Sequence, residues 1–205
     1  MQSFARVQPI DRRRAIVLAI STIALAAIAG RIAAGAEDPR AFVQSVGDRV
    51  VKVLQQKLPR EQAEQQLNAV WLQAFDVEAI GRTVLGTHWK AANDQQRKAY
   101  MDVFPKYVAK LYAIQFSDYS GETFAVGGSS VLDAASTLVH AQIVRPDKEP
   151  IKVDFVVHAD GQELKIGDVK IEGVSLLITK RTEFDSVVAQ KGIDGLIQAM
   201  RAKAG

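Results

Sequence analysis

The 205-residue chain has no cysteine, and that absence excludes a disulfide framework, a thiolate metal site, a cysteine nucleophile and a lipid-modified N-terminal cysteine. Histidine is nearly as scarce: His88, His140 and His158 stand far apart, none at i, i+4 spacing and none with an acidic cluster beside it. There is no Gly-x-Ser-x-Gly elbow, no P-loop and no dinucleotide fingerprint. The fold therefore rests on packing, and cofactor or metal chemistry has no foothold in the sequence.

Long apolar runs are also missing, apart from Ala15–Ile28. That run follows Arg6, Arg12, Arg13 and Arg14 and precedes the small-x-small stretch Ala34-Gly35-Ala36, the pattern of a cleaved export signal. It is shorter than the ~20 residues that span a bilayer. Arg12-Arg13 hints at a twin-arginine address, although Ala15 replaces the larger apolar residue that usually follows. Residues 1–36 are thus expected to be a signal peptide and 37–205 one mature domain. The formal charge of the whole chain is +3, but residues 1–36 hold five Arg and one Asp, a net +4, so the mature part is near −1. Its charge gives no reason to expect nucleic acid as a partner.

Within 37–205 the hydrophobic period changes twice. Val43, Val46, Val50 and Val53 recur at helical steps from Pro39 to Leu58, and Ala63, Leu67, Val70 and Ala74 repeat the pattern over 60–75. A third helix fits Val77–Leu85, ending at Gly86. Asn93 and Gln96 form a capping-box pair that opens the longest helix, with Tyr100, Phe104, Tyr107, Leu111 and Ile114 on one stripe and Pro105 bending its interior. Beyond Gly121 the period falls to two. Val139, Ala141 and Ile143, then Ile151, Val153, Phe155 and Val157, then Leu164, Ile166, Asp168 and Lys170 alternate with their neighbours. Pro146-Asp147 and Asp160-Gly161 mark turns, and Gly127-Gly128 marks a bulge in a weaker first strand over 123–132. Helical spacing returns over 175–190 and 193–200, either side of Gly192. The prediction is an α+β domain: N-terminal helices, a four-stranded antiparallel meander and a C-terminal helix pair.

Asp168, set among apolar residues on a strand, is the best candidate for chemistry. Desolvation there would raise its pKa and suit a general base, as in small cone-shaped isomerases. The plainer role is a carboxylate that caps a helix or accepts buried N–H groups.

Two stretches carry a resemblance. Phe75-Asp76, Ile80, Gly81, Arg82, Val84-Leu85-Gly86 and Trp89, followed by Gln96-Arg97 and Phe104, resemble the central signature of the MlaC (toluene-tolerance) family. Asp168 through Leu176, with Arg181, Phe184 and Gly192-Ile193-Asp194-Gly195-Leu196-Ile197, resembles its C-terminal block. Leu164 and Gly167 depart from the pattern where many members carry aromatic residues, and Lys180 replaces a frequent tyrosine.

The resemblance implies a curved sheet and helices enclosing an apolar pocket, in a periplasmic, non-enzymatic shuttle without a cofactor. Its implied cargo is a phospholipid, with a hopanoid-type lipid as the alternative. Its implied partners are an inner-membrane ABC transporter complex and an outer-membrane lipoprotein complex that maintain outer-membrane lipid asymmetry. Expected tail contacts are Phe104, Tyr107 and Leu111 from the long helix, and Val153, Phe155, Val157, Ile166, Val169, Ile171, Val174 and Leu177 from the sheet and its exit. Alternation shows which of these share a face and leaves open which face meets the pocket. A small enzyme using Asp168 in the same cavity, or an adaptor docking through an apolar face, are the other functional classes.

Overall fold

A computed structural model describes residues 37–115, 119–160 and 163–204 of the chain; the expected signal at 1–36 and the Gly161 turn position lie outside them. Residues Glu37–Gly205 form one unit of mutual contacts. The helices α1 (Pro39–Gln55), α2 (Arg60–Ala74), α3 (Val77–Leu85), α4 (Thr87–Ala91) and α5 (Asp94–Gln115) come first. Strands β1 (Thr123–Val131), β2 (Ser136–Arg145), β3 (Lys148–Asp160), β4 (Glu163–Ile171) and β5 (Val174–Ser175) follow, and α6 (Leu176–Ala204) closes the chain.

The helix starts follow their local chemistry. Asp38 accepts from the Arg40 N–H at 2.9 Å just before Pro39, and Asp76 accepts from the Ala79 N–H at 2.9 Å to open α3. At α5 the capping box is reciprocal: Asn93 Oδ1 accepts from the Gln96 N–H at 2.8 Å, and Gln96 Oε1 from the Asn93 N–H at 3.1 Å. α5 runs on through Pro105. α6 is two helices joined across Gly192, whose φ of 69° only glycine adopts readily.

The sheet is antiparallel throughout, in the order β1-β2-β3-β4-β5. It has a fifth strand beyond the expected four. Glu172 and Gly173 (φ 48° and 81°) make a two-residue turn with both φ positive, which folds Val174–Ser175 back onto Lys170–Ile171. That segment is too short for alternation to reveal. β1 gains one residue on β2 at Gly127-Gly128, the expected bulge.

A second bulge corrects the simple alternation of β4. Val156 pairs with Asp168 but Val157 pairs with Ile166, so Gly167 is the extra residue. It shifts the parity of the strand and puts Leu164 and Ile166 on the same side as Val169, all packed in one cluster. A side chain here would crowd its neighbour, because a Cβ at Gly167 would sit 3.0 Å from the His158 ring.

The apolar residues form two cores. The sheet core joins Phe42, Val43 and Val46 of α1 and Ala74 of α2 to Val139, Val157 and Ile166. The helical core joins Ile80, Val84 and Leu85 of α3 and Tyr100 to Val108 of α5 to Phe184, Leu196, Ile197 and Met200 of α6. Phe75, between α2 and α3, packs against both.

Helix α1 lies so close on β1 that a Cβ at Gly47 would fall 2.0 Å from Cδ1 of Phe124. Beside it, Gln44 Oε1 accepts from the Val126 N–H at 3.0 Å and covers part of the exposed edge of β1. Replacing a helical glycine by alanine ordinarily favours the helix by about 1 kcal/mol. Here the clash reverses the sign: Gly47→Ala is expected to lower unfolding free energy by about 1–3 kcal/mol in urea titrations.

Candidate functional site

Between the two cores runs a narrow apolar slot. One wall comes from Trp71 and Phe75, whose rings stand 4.1 Å apart, and from Gly167, Asp168 and Val169 of β4. The opposite wall comes from Ile80 and Val84 of α3, Phe104, Val108 and Leu111 of α5, and Leu176, Leu177 and Lys180 of α6. The slot holds ≈ 40 Å³. That is close to the ~30 Å³ share of one water in the liquid, whereas small-molecule pockets run to roughly 300–1,000 Å³. A larger hollow of ≈ 410 Å³ lies along α1, lined by Ala41, Gln44, Ser45, Asp48, Arg49 and Lys52, but most of these are exposed and it is an open surface depression that encloses nothing.

The expected tail contacts divide. Phe104, Leu111, Val169 and Leu177 line the slot. Tyr107 lies deeper in the helical core, its ring 5.9 Å from that of Phe184. Val157 and Ile166 are buried in the sheet core, Phe155 packs against it, Val153 is buried and Ile171 is half-buried. Val174 is 59% exposed, at the outer end of the sheet. Trp71, Phe75, Ile80, Val84 and Val108 belong to the slot without having been picked from the sequence. Val108 completes the Phe104–Leu111 stripe at helical spacing, so it could have been found; the others become visible once α2 and α3 are placed.

Asp168 has a structural job. Its Oδ1 accepts from the Leu177 N–H at 3.1 Å, and Ser175 Oγ accepts from the Ile178 N–H at 3.0 Å, so both cap the first turn of α6. On three adjacent strands, His140 lies 2.8 Å from Asp154 and 3.3 Å from Ser130 Oγ. This Ser-His-Asp chain is exposed, and its members line neither hollow. His88 pairs with Asp185 at 2.7 Å and His158 with Asp76 at 3.1 Å. Among the described residues no group of three His, Asp or Glu could hold a metal.

The two sequence signatures meet in space. Gly86, with φ 60°, leaves room for Arg181, whose Nε would lie 2.9 Å from a Cβ there. Gln96 Nε2 donates to Asp194 at 3.1 Å, and Tyr100, Phe104 and Tyr107 surround Phe184. The guanidinium groups of Arg82 and Arg97 lie 5.5 and 5.8 Å from the centroid of the Trp89 ring.

The profile of the MlaC protein family matches residues 44–202. The chain belongs to the MlaC family. A curated relative from Haemophilus influenzae, the intermembrane phospholipid transport system binding protein MlaC, is 24% identical over 137 residues, 63% of this chain and 62% of that protein. The chain thus matches about three fifths of that relative's length. Among solved structures, a phospholipid-binding protein from Ralstonia solanacearum in complex with a phospholipid superposes with a TM-score of 0.71 at 20% identity, covering 82% of this chain and 97% of the other. The likeness establishes the MlaC fold for the helices-sheet-helices order seen here.

In this MlaC member Tyr100 is fully buried and donates to the Gly81 carbonyl at 2.9 Å. Burial, reinforced by the neighbouring Tyr107, pushes its pKa well above the usual phenol value. The unfolded chain then loses this proton first, so the contribution of Tyr100 is complete below about pH 10 and declines as pH rises further. Unfolding free energies measured at pH 8 and pH 11 should fall more for the native chain than for Tyr100→Phe. Removing the Asp168 cap has a separate signature: Asp168→Ala should cost about 0.5–2 kcal/mol in thermal or urea unfolding, and Asp168→Asn, which still accepts from Leu177, should recover most of it.

Proposed function

We propose that this MlaC-family chain is a periplasmic carrier that takes a phospholipid from one membrane complex and delivers it to another. The observation that carries this reading is the slot: five elements contribute apolar side chains to a seam between two separate cores, and on this reading the seam widens to admit the tails. The names of the Haemophilus and Ralstonia proteins, a phospholipid transport binding protein and a phospholipid-binding protein, support the same cargo. On this reading residues 1–36 are the export signal and are removed, and an ABC transporter complex and an outer-membrane lipoprotein complex are the two partners.

The physical need for such a carrier is large. Exposing about thirty methylenes of a diacyl lipid to water at ~0.8 kcal/mol each costs on the order of 24 kcal/mol. Enclosing the tails removes that barrier, and release needs a partner that widens the slot or competes for its walls. No bond is made or broken. At ≈ 40 Å³ the slot must dilate roughly tenfold to reach the size of ordinary ligand pockets, so binding and opening are one event.

Protein purified without denaturation should carry close to one lipid per chain, seen by native mass spectrometry and solvent extraction. Leu111→Asp, which puts a carboxylate into the slot wall, should lower bound lipid by about tenfold or more while leaving the circular dichroism spectrum intact. Native protein that never yields lipid would defeat the carrier reading, and a triterpenoid in the extract would replace phospholipid as the cargo.

A further inference from the structure

Two charged residues interrupt the apolar lining of the slot, and they differ. Asp168 is held by the Leu177 N–H, but Lys180 reaches past the wall: its side chain is 18% exposed, and its Nζ lies 2.6 Å from Oε2 of Glu183, whose side chain is 53% exposed. The methylene stem covers the apolar lining while the ammonium emerges at the surface, the way long cationic side chains snorkel out of apolar surroundings. The rim of the slot therefore lies at Lys180 and Glu183, and a positive and a negative group stand side by side there. Such a pair, three residues apart on a helix and with its carboxylate half open to water, can exchange partners with charges that a ligand brings.

We propose that Lys180 and Glu183 form the head-group site, with the Lys180 ammonium taking the lipid phosphate and the Glu183 carboxylate taking a cationic amine. A zwitterionic head replaces the internal pair charge for charge. An anionic head with a neutral alcohol satisfies Lys180 but offers Glu183 no cation and leaves its carboxylate unpaired beside the phosphate, so the same pair favours one head group over the other. Lys180 also stands where the resemblance expects tyrosine, which offers a hydroxyl but no charge. The assignment rests on the phospholipid-carrier reading and adds to it the class of lipid preferred.

The test is competitive loading. Native protein is incubated with vesicles of equal parts phosphatidylethanolamine and phosphatidylglycerol with matched acyl chains, re-isolated, and its bound lipid quantified by mass spectrometry. The expected result is a preference of about fivefold for phosphatidylethanolamine, kept in Lys180→Gln while uptake of both lipids falls, and reversed in Glu183→Lys, the ratio of the two bound lipids being the readout. Equal uptake by the native protein, or a preference that Glu183→Lys does not move, would overturn the head-group site and leave the carrier standing. Failure to take up either lipid would overturn the carrier and the head-group site together. Because the native preference is read on the unaltered chain, the proposal is decided even if a variant folds poorly.

Discussion

Asp76 makes three connections at once, and the arrangement of the two cores depends on it. Its N–H donates to the Ile166 carbonyl at 3.0 Å, its Oδ1 caps α3, and its Oδ2 meets the His158 ring at 3.1 Å. α2 ends in the sheet core and α3 begins in the helical core, so the chain crosses from one to the other within Phe75-Asp76. A single carboxylate thereby joins the start of the helical core to β3, while the backbone of the same residue joins it to β4. The glycine bulge at 167 belongs to this joint, because it makes the room in which His158 reaches Asp76.

The carrier proposed above needs the seam to widen, although the Asp168 cap on Leu177 and the direct run of β5 into α6 also cross it. A single continuous core would resist this, since packed interiors lose dispersion contacts as soon as a gap opens. On that proposal two cores, each closed by its own contacts, separate along the slot and give up mainly the side-chain contacts across it. The helical core is tied within itself by Tyr100 to Gly81, by the rings around Phe184 and by Gln96 to Asp194. Pro105 follows Phe104 in the helix that forms much of one slot wall, and it leaves the Met101 carbonyl without its usual helical donor. The interrupted part of that helix is thus beside the slot wall.

Much of this was legible from local chemistry. The capping pair at Asn93 and Gln96, the stop at Gly86, the break at Gly192 and the bulge at Gly127-Gly128 each express a backbone requirement that a few residues state by themselves. The two-residue β5 did not, because two positions carry no period. Nor did the parity shift at Gly167: the alternation Leu164, Ile166, Asp168 reads as one continuous face, yet the bulge separates Ile166 from Asp168 in register. The slot was half legible for a related reason. Phe104, Leu111, Val169 and Leu177 declare an apolar face, but a face buried in a core and a face on a seam have the same period. Only the placement of α2 and α3 tells Val169 on the slot from Ile166 in the core.

The pattern of agreement and departure follows the same division. The signature residues that match the family, Gly81, Gly86, Trp89, Arg181 and Phe184 among them, lie where helices are fastened to one another, and a change at any of them would break a close approach or an aromatic contact. Two of the three departures, Gly167 and Lys180, lie on the slot itself. Gly167 gives its space to the His158 ring, and Lys180 brings a charge to the rim. The fastenings dictate that two cores exist and meet. The lining borders the slot without fastening one helix to another, and on the proposed function a substitution there alters what the seam admits while the fold around it stays as it is.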